Sequence, residues 1–265
     1  MIDFLQYAFM QNALIAGVIV SILCALIGVF LVLKKLSLLG DGLAHSAFAG
    51  VAIGMMLGIY PFISALVFTS LSALGIRRLI QKTKIYGDSA IAVLLSFSIA
   101  IAVIIIGIVK GFNKDLFSYL FGSILTVTTQ DIVIMIAIAV IVIAFIVLNY
   151  RALILSTFNP QLAQVSKINV NFLENCLVLI AALTIVIASK VAGVLLVSAL
   201  IVIPATIAMQ IAKSFKQTLF FAIGVSLFSV IVGIISSFYL DLPPGGTIVI
   251  ILCILFCFSL LIKTK

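Results

Sequence analysis

The chain contains a single histidine, His45, and it stands four residues after Asp41. An acid and an imidazole at i, i+4 project from one side of a helix, one turn apart. Carboxylate plus imidazole matches the ligand preference of first-row divalent metals. The pair opens an apolar stretch, and ionisable groups at membrane depth are costly and tend to mark pathways for ions or protons. Zinc takes three or four protein ligands in its settled sites, so two per chain make a poor trap. A symmetric dimer brings two aspartates and two histidines together, which suits a transported ion held loosely enough to leave. A structural reading stays open beside this one: Asp41, following Gly40, as a helix N-cap, with His45 bonded to a backbone carbonyl.

Other polar residues offer less chemistry. Cys24, Cys176, Cys253 and Cys257 all fall in apolar stretches without zinc-finger spacing. Cys253 and Cys257 are i, i+4 and could form a soft-metal pair, or serve as small packing residues. Ser198 and Pro204 lie inside one apolar segment, where the proline removes a backbone bond and kinks the helix. Asp241, in the turn Asp241-Leu242-Pro243-Pro244-Gly245-Gly246, either attracts cations or solvates a loop. Asp88 reads as a helix cap; Asp115, Asp131 and Glu174 read as ordinary boundary charges. Intramembrane hydrolysis finds no support, because metalloprotease motifs need more than one histidine.

The elements that must position the Asp–His pair are membrane helices. Hydrophobic residues make up 65% of the 265 positions and charged residues 8%, which excludes a soluble fold and defines an all-α polytopic membrane protein in one domain, residues 1–265. The apolar runs are too long and too continuous for a β-barrel. Nine spans are expected, eight if one proves re-entrant: 12–33, 40–59, 61–76, 87–109, 130–149, 171–189, 191–212, 217–239 and 247–262. The third is short and could extend to Ile80; residues 116–126 are apolar but too short to cross. The first span follows an uncharged polar stretch and is trailed by Lys34-Lys35, which suits an anchor with an outside N-terminus rather than a cleaved signal.

Of the 15 Lys and Arg, an outside N-terminus places Lys34, Lys35, Arg77, Arg78, Lys82, Lys84, Arg151, Lys167, Lys213, Lys216, Lys263 and Lys265 in the cytoplasm, against Lys110, Lys114 and Lys190 elsewhere. That asymmetry predicts N-terminus out and C-terminus in. The net charge of +8 is therefore topological and no nucleic-acid footprint. No G-x-x-x-x-G-K-[ST] occurs, so ATP-driven work would need a separate subunit.

Small residues recur every four positions along the second span, from Gly42 through Ser46, Gly50 and Gly54 to Gly58. Such a stripe lets membrane helices approach closely. Asp41 and His45 belong to the neighbouring row, continued by Ala49 and Ile53, about 100° around the helix. One side can pack on protein while the other opens toward a cavity. Between Tyr150 and Val170 lies the longest non-membrane stretch. Asn159 before Pro160 is a helix-start signal, and Leu162, Val165 and Ile168 fall on one helical face. This short amphipathic piece either docks into a partner's groove or simply connects two spans.

Four segments resemble bacterial ABC-transporter permeases for zinc, manganese and iron. LLGDGLAHSAFAGVAIG (38–54) is similar to that family's Gly-Asp-Ala-x-x-His segment, and GVLLVSALIVIPATIA (193–208) to its Ser-Ala-Leu-x-x-x-Pro-Ala helix. STFNPQLAQVSKI (156–168) resembles its Phe-Asp-Pro cytoplasmic segment, and LPPGGTIVI (242–250) its Pro-Ser-Gly ending. The resemblance covers essentially the whole chain. It implies a plasma-membrane importer in which two permease copies form the pathway, cytoplasmic ATPases drive it and an external metal-binding protein delivers the ion. No cofactor is permanently bound; the metal is cargo. By the same resemblance Asp41 and His45 line the pathway, while Phe158, Asn159, Pro160, Leu162 and Val165 dock on the ATPase. The sequence departs from the family pattern at Asn159, Gln161, Lys167, Ala49 and Pro244, which weakens the residue-level docking claims. An ion-coupled secondary transporter or channel, working without an ATPase, is the competing class.

Overall fold

The computed structural model describes residues 7–83, 86–109, 119–123 and 127–263. The described residues are all-helical and contain no strand. In chain order the helices are α1 (Ala8–Leu33), α2 (Leu39–Leu57), α3 (Pro61–Lys82), α4 (Gly87–Ile108) and α5 (Thr129–Leu148). Two short ones follow, α6 (Tyr150–Phe158) and α7 (Pro160–Val165), then α8 (Val170–Ala192), α9 (Val197–Ile211), α10 (Phe215–Leu240) and α11 (Pro244–Lys263). A helix occupies each expected span. Seven of them, α1, α3, α4, α5, α8, α10 and α11, are long and apolar enough to cross a bilayer. The third runs to Lys82, past Ile80, the longer of its two expected ends. Of the re-entrant candidate 116–126, only 119–123 is described, and 119–121 form one helical turn. Lys84, Lys110, Lys114 and Lys265 lie outside the described residues.

α1 and α8 form the axis of the bundle. Their apolar stretches are 67% buried, against 22% for α3 and α4, which present most of their surface to the surroundings. The seventh span is shorter than its apolar run because α8 claims residues 191–192 and Gly193 breaks the chain at φ +86. A Cβ on Gly193 would sit 2.4 Å from the backbone nitrogen of Gly122, itself at φ +77, so two glycines in left-handed conformations meet backbone to backbone. Val194 N–H donates to the Tyr119 carbonyl at 2.9 Å there. The link between α8 and α9 is thus a glycine-built turn from Gly193 to Leu196. Pro204 lies inside α9 as expected.

Two polar clusters hold opposite ends of the bundle, and both correct the reading of their acids as boundary charges. At one end Asp131 is fully buried and forms an ion pair with Lys190 of α8, itself 6% exposed. Tyr60, just before α3, donates its hydroxyl to Asp131 Oδ1 at 2.6 Å, and Thr128 donates its hydroxyl to Oδ2 at 2.6 Å. Thr128 and Asp131 also close a capping box at the start of α5. The Lys190 ammonium lies 5.6 Å from the centroid of the Phe62 ring.

At the other end, the basic one, Glu174 of α8 pairs with Lys34 at 3.0 Å and with Arg77 of α3. Each charge is satisfied because its partner comes from another helix, something spacing along the chain does not reveal. Removing one member of the buried Asp131–Lys190 pair leaves an uncompensated charge. Lys190→Met or Asp131→Asn alone is expected to cost about 3 kcal/mol or more, and the double substitution less than either. Thermal unfolding of the detergent-purified protein checks the order; equal midpoints for all three would contradict it.

Candidate functional site

α2 is built to be gripped on one side. Gly42 faces Ile91 of α4, where an added Cβ would meet the side chain at 3.0 Å. Ser46 and Ser98 of α4 share a hydrogen bond of 2.9 Å between hydroxyls, while Ser46 also donates to the Gly42 carbonyl. Higher up, a Cβ on Gly50 would stand 2.7 Å from the Cα of Ala65, and one on Gly54 would stand 2.9 Å from the Cα of Pro61, both in α3. Backbone atoms cannot swing aside, so only glycine permits this approach. The small-residue stripe therefore packs on α4 in its lower half and on α3 in its upper half. Gly58 ends the helix in the left-handed conformation, φ +67, as a C-cap.

The neighbouring row is open only in part. Asp41 and His45 are each partly exposed, and Leu38 and Met56 continue the uncovered face at 49% and 43%. Ala49, which sequence spacing puts in the same row, is fully buried, whereas Ile53 is partly exposed again. Neither the carboxylate of Asp41 nor the imidazole of His45 has a hydrogen bond or ion pair among the described residues. The capping alternative fails, because Leu38 is the N-cap of α2 and Asp41 lies inside its first turn without a capping bond. An acid in a first turn complements the helix dipole. Gly40, beside Asp41, abuts Ser198 of α9, an added Cβ lying 3.4 Å from that serine's Cβ. The Ser198 segment and the Asp41 segment thus meet in space, although the sequence separates them by more than half the chain.

Among the described residues no three of His, Cys, Asp or Glu gather into a metal-sized group. Cys253 and Cys257 are exposed on the far face of α11, along an apolar groove, and Cys24 is buried. Asp241 is the exposed C-cap of α10 at φ +52.

The 156–168 segment sits at the basic end. Asn159 caps α7, its side-chain oxygen accepting from Leu162 N–H at 3.0 Å, with Pro160 in the first turn. α7 ends at Val165, so Ile168 is not on the same helical face; Lys167 turns the chain at φ +61. Phe158, Leu162 and Val165 are 61%, 49% and 81% exposed. Phe158 rests edge-on against Phe215 at the start of α10, centroids 6.0 Å apart.

A bundle of apolar helices about α1 and α8, with an acid and an imidazole partly exposed on α2, is the architecture of a membrane transport subunit. The chain belongs to the ABC 3 transport family, which it matches over residues 6–263. It is 35% identical over 261 residues to the manganese transport system membrane protein MntC of Listeria monocytogenes, covering 98% of this chain and 93% of that one. Over 248 residues it is 32% identical to the high-affinity zinc uptake system membrane protein ZnuB of Haemophilus influenzae, covering 94% and 95%. Among solved structures it is similar to PsaBC from Streptococcus pneumoniae in complex with Fab, with a TM-score of 0.88, 32% identity, and 97% and 93% of the two chains covered.

The grip on α2 is testable. Gly50→Ala is expected to destabilise the protein by about 1–3 kcal/mol, because backbone must shift to admit the methyl group. Gly75→Ala meets nothing within 4 Å and should be neutral or slightly stabilising. Unfolding midpoints of the two variants, measured side by side, decide the point.

Proposed function

We propose that the chain is the membrane-spanning permease of an ATP-driven importer of divalent metal ions, in which two copies enclose the pathway and Asp41 and His45 of each line it. The observation that carries this site is the geometry of α2: one partly exposed side bears the only imidazole in the chain and a carboxylate one turn away, neither with a hydrogen bond or ion pair among the described residues. A second copy meeting that face supplies two acids and two imidazoles. Family membership supports ATP-driven import over an ion-coupled transporter or channel. The relatives' names include manganese and zinc, and the donor pair suits these and ferrous iron alike.

α2 and α9 complete nine crossings in this reading. The basic end, carrying Lys34, Arg77 and the 156–168 segment, faces the cytoplasm of a plasma membrane, so the N-terminus is outside and the C-terminus inside. With no P-loop in the chain, ATP hydrolysis belongs to a separate cytoplasmic ATPase. Phe158, Leu162 and Val165 dock in it, held by the Asn159-Pro160 helix start. An external metal-binding protein brings the ion to the opposite end, and alternating access exposes the Asp41–His45 pair first outward, then inward.

Asp41→Ala and His45→Ala are each expected to abolish metal uptake while the protein still reaches the membrane; wild-type uptake in both would remove the site. Uptake should also fall at acid pH, since both ligands must be deprotonated to hold a metal. Val165→Asp, which places a charge in the exposed apolar triad without touching the bundle, should prevent co-purification of the ATPase. Recovery of the ATPase in full would show that the segment only connects two spans.

A further inference from the structure

We infer that Glu174 is the positioning residue through which movement of the 156–168 segment reaches the Asp41–His45 pair, an inference that rests on the importer reading above. The Lys34 ammonium, at the end of α1, donates to the Ser156 carbonyl of α6 at 3.4 Å and pairs with Glu174 at 3.0 Å. The other carboxylate oxygen of Glu174 takes Arg77 of α3, whose Nε donates to the Asn175 side chain at 3.3 Å. Lys34, Arg77 and Glu174 are only 8%, 16% and 23% exposed, which sets them apart from solvated surface pairs.

Both handles on α2 converge on this carboxylate. The first is the α1–α2 turn. Leu36 N–H bonds the Leu31 carbonyl at 2.9 Å and Leu39 N–H bonds the Leu36 carbonyl at 3.0 Å, so the turn has little slack between Lys34 and Asp41. Lys35 holds it closed at φ +57. The second handle is α3, which carries Arg77 near one end and grips Gly50 and Gly54 of α2 nearer the other. A shift of α6 therefore pulls on Lys34, and Glu174 makes α3 and the α2 turn respond together.

The alternative route leaves α6 through aromatic contacts, Phe158 and Tyr150 on Phe215, each at 6.0 Å. It leads into α10, whose main neighbours are α1, α9 and α11, and it reaches α2 only at second hand, through α9. The cleft beside the charged cluster, about 300 Å³, does not explain it either: the polar groups of Lys34, Arg77, Glu174 and Ser156 that help line it are already paired with one another.

The test uses the assembled transporter, permease with ATPase and external binding protein, in proteoliposomes, with manganese and zinc as parallel probes. The quantity read is metal moved per ATP hydrolysed. Glu174→Gln and Lys34→Met are each expected to lower that ratio by at least about fivefold while hydrolysis stays within about twofold of wild type. Glu174→Asp, which keeps the charge, should retain most of it. Lys34→Met leaves the Glu174–Arg77 pair intact, so it remains informative if Glu174→Gln fails to assemble. An unchanged ratio, or a parallel fall in uptake and hydrolysis, would reduce Glu174 to a structural tie and overturn the inference. A wild-type complex without ATP-dependent uptake of either metal would instead overturn the importer reading itself.

Discussion

Everything about the site depends on how closely α2 can approach its neighbours. In a membrane there is little hydrophobic gain in bringing apolar helices together, so association relies on packing contacts and hydrogen bonds. Glycines at 42, 50 and 54 let the backbone of α2 sit against α3 and α4, and the Ser46–Ser98 pair adds a polar contact between two fully buried side chains. Because that side is taken by backbone contact, the rotation of α2 about its own axis is set. The row bearing Asp41 and His45 is then left partly exposed at those two residues.

Charge is sparse in this chain, and where it is buried it joins helices that are far apart in sequence. α8 carries Glu174 near its start and Lys190 in its last turn, and both find partners on other elements. α3 is tied at both ends in the same way, through Arg77 at one and the adjacent Tyr60 at the other. These struts tie the helices together near their ends, while further in apolar packing is joined by the Ser46–Ser98 hydroxyl pair.

The glycine knot where Gly193 meets Gly122 adds a different constraint. It interrupts the apolar run between α8 and α9, so α9 starts close to the first turn of α2 rather than at the end of the bundle. A broken helix at membrane depth is tolerated where protein surrounds it, as here, with the residues from Ala188 to Val194 almost fully buried. Its backbone groups are met by the 119–123 segment, Val194 bonding Tyr119 and Leu195 bonding Leu120.

Much of this was legible from residues alone. Apolar run length, the Asp-x-x-x-His spacing and the four-residue rhythm of small side chains are local patterns with a fixed period, and each survives into the structure as a helix, a shared face and a packing stripe. The Asn159-Pro160 start of α7 is equally local. Asp131, Glu174 and Lys190 were not legible, because a charge near the end of an apolar run looks the same whether water or another helix receives it. Sequence by itself determined the helices and which side chains ride together on each. Only the tertiary structure decided which of those sides is covered and which charges are paired, since burial is a property of neighbours that lie tens of residues away.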